Sequence, residues 1–219
     1  MSTLMLRLAA PLQAWGTDSK FETRRTEREP SKSGVIGLLA AALGRKREDS
    51  LEDLNALRYG VRIDREGRLL RDYHTAHRDK ASYITNRYYL ADAIFLVGLE
   101  SEDEVFLREL EAALAAPGFP LFLGRRSCPP TLPLSLGIRK EGLLEALKKE
   151  PWLLPEWRRG QADGSLRLVT DCLDGETSAA FVPDVPVSFD PRCRRFRMRM
   201  AMERPYVSAT QEHDPMAEL

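Results

Sequence analysis

The chain has 219 residues, 33 of them Lys or Arg and 33 Asp or Glu, so its formal net charge is zero. That length is enough for one sizeable domain or two small ones with a core that needs no staples. The charge balance excludes a histone-like or tail-like protein that coats nucleic acid indiscriminately, and three cysteines far apart, Cys128, Cys172 and Cys193, exclude a disulfide framework and a structural zinc site.

In chain order, Leu4, Leu6 and Leu8 alternate with Met5 and Arg7 and predict a half-buried strand that Pro11 ends. This start lacks the basic segment and long apolar run of a targeting signal, and no apolar stretch approaches the roughly 20 residues of a membrane span. With the odd cysteines, that places the chain in a reducing cytoplasm. A polar loop with Arg24, Arg25 and Arg28 follows, and Pro30, Ser31 and Ser33 start a helix over the apolar run Val35 to Leu43 that Gly44 stops. Leu51, Leu54 and Leu57 mark a short second helix. Tyr59 to Asp64 and Leu69 to Tyr73 predict a hairpin around Glu66-Gly67. Thr75 to Tyr89, with Arg78, Lys80, Arg87, His77, Tyr83, Tyr88 and Tyr89, predicts a projecting flap before the buried strand Ala93 to Leu99.

Glu102 to Ala115 has the helical period and acids in its first turn, and Pro117-Gly118 ends it before the apolar run Phe119 to Leu123. The order is the βαββαβ plan of a ferredoxin-like or RRM-like domain with an insertion, an α+β class. It predicts a first domain over residues 1–124 with a thumb at about 75–90, and a smaller β-rich C-terminal region over 125–219 packed on it. That region carries a helix at Glu141 to Lys149 and strands at Leu166 to Asp171, Phe181 to Phe189 and Arg195 to Met202. A frayed tail from Ser208 closes the chain.

There are 26 Arg against 7 Lys, and a guanidinium grips phosphate bidentately and stacks on bases where an ammonium does neither. Bulk arginine richness also fits heat tolerance, so the clusters carry the functional argument. Arg24, Arg25, Arg28 and Lys32 lead to a helix start whose free N–H groups favour an anion. No G-x-x-x-x-G-K is present, so the stretch is not a P-loop. Tyr73, His74 and His77 suit base stacking and equally acid–base cleavage of RNA, and no third ligand near the histidines completes a metal site. Gly124 followed by Arg125 and Arg126 in a proline-stiffened loop holds two guanidiniums at low entropic cost. Phe196, Met198, Met200 and Met202 share one face of a strand, and Arg195, Arg197 and Arg199 the other, a ladder that must be solvated or paired with anions; edge-strand protection explains it equally.

Three stretches carry a family resemblance: Leu6-Arg7-Leu8-Ala9-Ala10-Pro11-Leu12-Gln13-Ala14-Trp15-Gly16, Leu70-Arg71-Asp72-Tyr73-His74-Thr75 and Leu123-Gly124-Arg125-Arg126-Ser127-Cys128-Pro129. In this order and spacing they resemble a subunit family of the type I-E CRISPR surveillance complex Cascade, within the RAMP superfamily. The likeness spans roughly the first 135 residues. It implies an RRM-like core with a thumb, and a subunit that holds the 5′ handle of CRISPR RNA beside the backbone subunit CasC and the large subunit CasA, while CasE cuts the precursor. It also implies no cofactor, no metal, no membrane and no small-molecule substrate. Arg24, Arg25, Arg28, Lys32, Tyr73, His74, Arg125 and Arg126 become handle-binding candidates, and Arg78, Lys80 and Arg87 thumb contacts. The alternative is a metal-independent endoribonuclease using His74 or Tyr73. RNA-cleaving relatives of type I-C systems have an adjacent lysine and histidine, and this sequence has no such pair.

Overall fold

A computed structural model of the chain describes residues 1–16, 22–78, 81–154, 165–172, 176 and 179–207. Lys80 and the tail from Ser208 lie outside the described residues, and of Arg78 only the backbone is described. The elements run β1 (Ser2–Ala9), β2 (Leu12–Gln13), β3 (Thr23–Arg24), α1 (Lys32–Ala42), α2 (Glu52–Asn55), β4 (Arg58–Arg65), β5 (Arg68–Arg78), β6 (Ala81–Ala91), β7 (Ile94–Ser101), α3 (Glu104–Ala115), β8 (Ser135–Arg139), α4 (Leu143–Lys149), β9 (Ser165–Asp171), β10 (Ala180–Ser188) and β11 (Arg195–Val207). The architecture is mixed α+β with largely antiparallel sheets.

Seven strands form the main sheet in the order β10-β11-β9-β4-β7-β1-β8, every neighbouring pair antiparallel. β1 lies between β7 and β8, and helices cover both of its faces: Leu4, Leu6 and Leu8 enter the large core and Met5 a second, smaller one. The half-buried strand expected from the alternation is corrected by this, because the intervening Met5 meets α4. α1 and α3 contribute Val35, Ile36, Leu39, Leu107 and Leu110 to the large core on one face of the sheet. Ser31 caps α1 by accepting from the Gly34 N–H, and Asp103 caps α3 by accepting from the Phe106 N–H. α4 packs on the other face, where Leu143 and Leu147 approach the backbone so closely that a Cβ at Gly60 or Gly98 would lie 2.9 or 2.7 Å from them.

Two expectations of the sequence fail here. Tyr59 to Asp64 does not pair with Leu69 to Tyr73: both edges of β4 are taken, by β7 and β9, and the chain turns at Gly67 into a second sheet. There β5 and β6 make the hairpin, Arg68 opposite Ala91 through Arg78 opposite Ala81, with β2 and β3 along the other edge of β6. The flap expected at 75–89 is the outer part of this ribbon. Phe119 to Leu123 is not a strand either; it delivers Leu123 to the core, and the place beside β1 goes to β8.

Charges are also buried. The Arg199 guanidinium bonds both oxygens of Asp184 (2.7 and 3.1 Å) and Asp171 Oδ1 (3.1 Å), and lies 5.1 Å over the Tyr59 ring. Asp184 also accepts from the Lys32 N–H, and Asp171 from Lys32 Nζ and the Tyr59 N–H. This network ties the first turn of α1 to β4, β9, β10 and β11. Among the described residues no helix is long and apolar enough to cross a membrane.

Arg199→Ala leaves the Asp184 carboxylate, 1% exposed, without its cationic partner, and is expected to cost about 3–5 kcal/mol in urea unfolding. Arg197→Ala, two residues away and exposed, is expected to stay within about 0.5 kcal/mol of the parent.

Candidate nucleic-acid interface

The base of the β5–β6 ribbon is where two of the arginine clusters meet, the loop with Arg24 and Arg25 and the loop with Arg125 and Arg126. Trp15 is buried and anchors the arginine loop: its N–H donates to Thr26 Oγ1 (2.8 Å), its carbonyl accepts from the Glu27 N–H (2.8 Å), and its indole N–H donates to the buried Gln13. Those contacts hold β3 parallel to β6, with Thr23 opposite Asn86 and Arg24 opposite Arg87. The loop carrying Arg125 and Arg126 closes on the same segment. Ala14 N–H donates to Leu123 O, and Gly124, at φ +84°, passes so near the Ala14 carbonyl that a Cβ would fall 1.6 Å from its oxygen. Only glycine fits there.

Arg125 Nη2 then donates to the carbonyls of Arg24 (2.9 Å) and Arg25 (3.3 Å), and the guanidinium stacks 4.7 Å over the ring of Tyr89. Of the three stretches that carried the family resemblance, the first and third meet at Ala14 and Gly124, and the second lies on β5, where Leu70 is opposite Tyr89. Arg24, Arg25, Arg28 and Arg126 are exposed, and none has an ion-pair partner among the described residues. Arg87 is half-buried; its Nε and Arg125 Nη1 have no hydrogen-bond partner among the described residues. Several arginines elsewhere are matched: Arg62 with Asp64, Arg58 with Glu100, Arg139 with Glu150, Arg167 with Glu29, Glu66 and Glu203, and Arg204 with Glu176. At Glu29, burial pushes the carboxyl above its usual range against the pull of Arg167. Cys128 closes the Arg125 turn, and burial raises its thiol, with Ser127 and Arg125 pulling the other way, which disfavours a reactive thiolate.

Not every candidate joins the cluster. Lys32 is corrected: its side chain is 7% exposed, and Nζ donates to Leu57 O and Asp171, so it offers nothing to a ligand. Tyr73 and His74 separate, because adjacent residues of a strand point to opposite faces. His74 shares a face with Arg87, Tyr89 and the exposed Tyr83, the face on which Arg24 and Arg125 lie. Tyr73, 59% exposed, is on the reverse with Tyr88 and with Arg71, whose Nε donates to Asn86 Oδ1. His77 is also on the reverse, its Nδ1 2.8 Å from Ser82 Oγ. Tyr89 and Arg71 were not singled out as site residues; the two-residue spacing of Arg87 from Tyr89 and of Arg71 from Tyr73 is the signal that could have found them. Among the described residues no group of three His, Cys, Asp or Glu could hold a metal ion.

The model of the CRISPR-associated protein (Cas_Cas5) family matches residues 3–202, and the chain belongs to that family. It is 42% identical over 158 residues to the CRISPR system Cascade subunit CasD of Escherichia coli (strain K12), covering 62% of this chain and 70% of that protein. Among solved structures it is similar to a chain described as a crystal structure of a Cas protein (TM-score 0.74, 42% identity, 94% of this chain and 95% of that one). It is also similar to a chain of a CRISPR RNA-guided surveillance complex (TM-score 0.77, 32% identity, 99% of this chain and 97% of that one).

Arg125→Ala removes two hydrogen bonds and a cation–π contact and is expected to cost about 1–3 kcal/mol in urea unfolding. Arg126→Ala, at an exposed side chain, is expected to leave the midpoint unchanged.

Proposed function

We propose that the chain is a non-catalytic RNA-binding subunit of a type I-E Cascade complex in the cytoplasm, where it holds the 5′ handle of CRISPR RNA and meets the backbone subunit CasC and the large subunit CasA. The observation that carries this reading is the contrast in pairing. Six arginines of the main sheet, Arg58, Arg62, Arg139, Arg167, Arg199 and Arg204, are matched with carboxylates, whereas the clustered Arg24, Arg25, Arg28 and Arg126 are exposed and have no ion-pair partner among the described residues. Phosphates of a single strand are the acceptors such a cluster fits, and its splayed bases can stack on His74 and Tyr83 on the same face, with Tyr73 available on the reverse. Arg87 adds a guanidinium beside Arg24, Arg78 lies further out at the end of β5, and Lys80 is the remaining thumb contact of the proposal.

The same proposal reads the core as ferredoxin-like. The order β8-β1-β7-β4, with α1 between the first and second of these strands in the chain and α3 between the third and fourth, supports it. The β5–β6 ribbon is then the thumb. The RRM-like domain covers residues 1–124 with β8 supplying its fourth strand, and the rest of 125–219 is the β-rich C-terminal region.

Replacing Arg24 and Arg25 together with Ala is expected to weaken binding of single-stranded repeat RNA and to reduce the slope of log K against log salt by about 1.4, two phosphate contacts at about 0.7 each. An unchanged affinity and slope would overturn the reading. Incubating the purified chain with repeat RNA and EDTA, without CasE, is expected to leave the RNA intact; cleavage lost in His74→Ala would instead establish the enzyme.

A further inference from the structure

The two faces of the main sheet are covered unequally. α4 lies over Gly98 and Gly60, and the same row continues through Thr170 to Met202, which is half-buried. Beyond Met202 the row of alternate residues on β11 runs out from the cover: Met200 is 44% and Met198 62% exposed, and Phe181, directly opposite Met200 on β10, is 70% exposed. Their outward direction is fixed. Arg199, between the two methionines, points to the opposite face and is held there by Asp184 and Asp171. Turning the strand over to bury the methionines would break that network.

An apolar face held open against its own hydration cost calls for an occupant. Phenylalanine, methionine and arginine are enriched at the centre of protein interfaces, and the unbranched thioether adapts to whatever surface it meets. Arg192 and Arg194 are exposed in the adjoining turn, and the Arg194 guanidinium lies 5.2 Å over the ring of Phe196, which shares the methionine face, against the single carboxylate Asp190 between residues 190 and 200; Arg195 and Arg197 point with Arg199 to the reverse. The partner surface that complements this is apolar at its centre and carries carboxylates at its rim. A nucleic acid fits less well, since two of the three side chains have no aromatic ring for a base to stack on. The free edge of β10 carries Pro183 and Pro186, which cannot donate to an added strand, so the occupant sits on the face and does not extend the sheet.

We propose that Phe181, Met198 and Met200 form a docking face for another protein subunit, one presenting apolar side chains flanked by carboxylates. The proposal rests on the reading of the chain as one subunit of a multi-protein complex; it does not depend on the arginine cluster at the ribbon.

The test compares Met198→Glu/Met200→Glu with the parent chain in three measurements: thermal unfolding of the isolated chain, its affinity for single-stranded repeat RNA, and its incorporation into Cascade reconstituted from the other subunits. The expected result is unfolding unchanged within a few degrees, RNA affinity unchanged within twofold, and incorporation reduced at least tenfold. If the acidic pair unfolds the chain, Met198→Gln/Met200→Gln takes its place and is expected to reduce incorporation at least threefold. Arg192→Glu/Arg194→Glu is expected to reduce incorporation as well. Unchanged incorporation of the methionine variants overturns the proposal. So does a loss of RNA affinity with assembly intact, which would mark a nucleic-acid face, and so does a parent dimer in sedimentation that the variants abolish, which would make the occupant a second copy. Failure of the RNA reading would appear separately, in the Arg24 and Arg25 variants.

Discussion

The Arg199 guanidinium, clasped by Asp184 and Asp171 above Tyr59, is the contact on which the arrangement of this molecule turns. It sits where five elements meet: the first turn of α1 through the Lys32 N–H, β4 through Tyr59, β9 through Asp171, and the β10–β11 pair through Asp184 and Arg199 itself. A buried ion pair gains little net stability over an apolar substitute, but breaking it leaves a charge without water or partner, so it enforces one arrangement strongly. The Tyr59 hydroxyl, in the same place, donates to Pro30 O at the end of the arginine loop. One network therefore decides which way β11 faces and where the loop with Arg24, Arg25 and Arg28 returns to the fold.

What the sequence discloses follows from what local pattern can encode. α1, α3 and β1 were legible because their apolar spacing and capping residues, Ser31 and Asp103, act within a few positions of the chain. Pairing was not. β4 reads as one arm of a local hairpin, yet Tyr59, Val61 and Ile63 find partners in β7 and β9, more than thirty and more than a hundred residues away. β8, with Gly137 at φ +92° and every residue half-buried, shows no alternation at all, so the apolar run at 119–123 was the more strand-like of the two.

The candidate site divides in the same way. Arg24, Arg25 and Arg126 stand out in the sequence as clusters and prove exposed. Lys32 belongs to its cluster by position alone, and its counter-charge, Asp171, lies 139 residues on. Tyr73 and His74 are neighbours in the chain, and the alternation of a strand alone is enough to part them, a signal present in the sequence once that stretch is assigned as β5. Arg125 has the opposite history: it reads as a surface cation and serves as a rivet, holding two backbone carbonyls of the loop whose side chains face outward.

The second sheet has a further property. β5 is bonded along one side to β6, and among the described residues its other side pairs with no strand over eleven residues from Arg68 to Arg78. An uncovered border of that length, flanked by Leu69, Leu70 and Tyr73, is a template for sheet growth between molecules. Left uncovered, that border favours irreversible clumping of copies of this chain as its concentration rises, a liability written into the backbone of one strand.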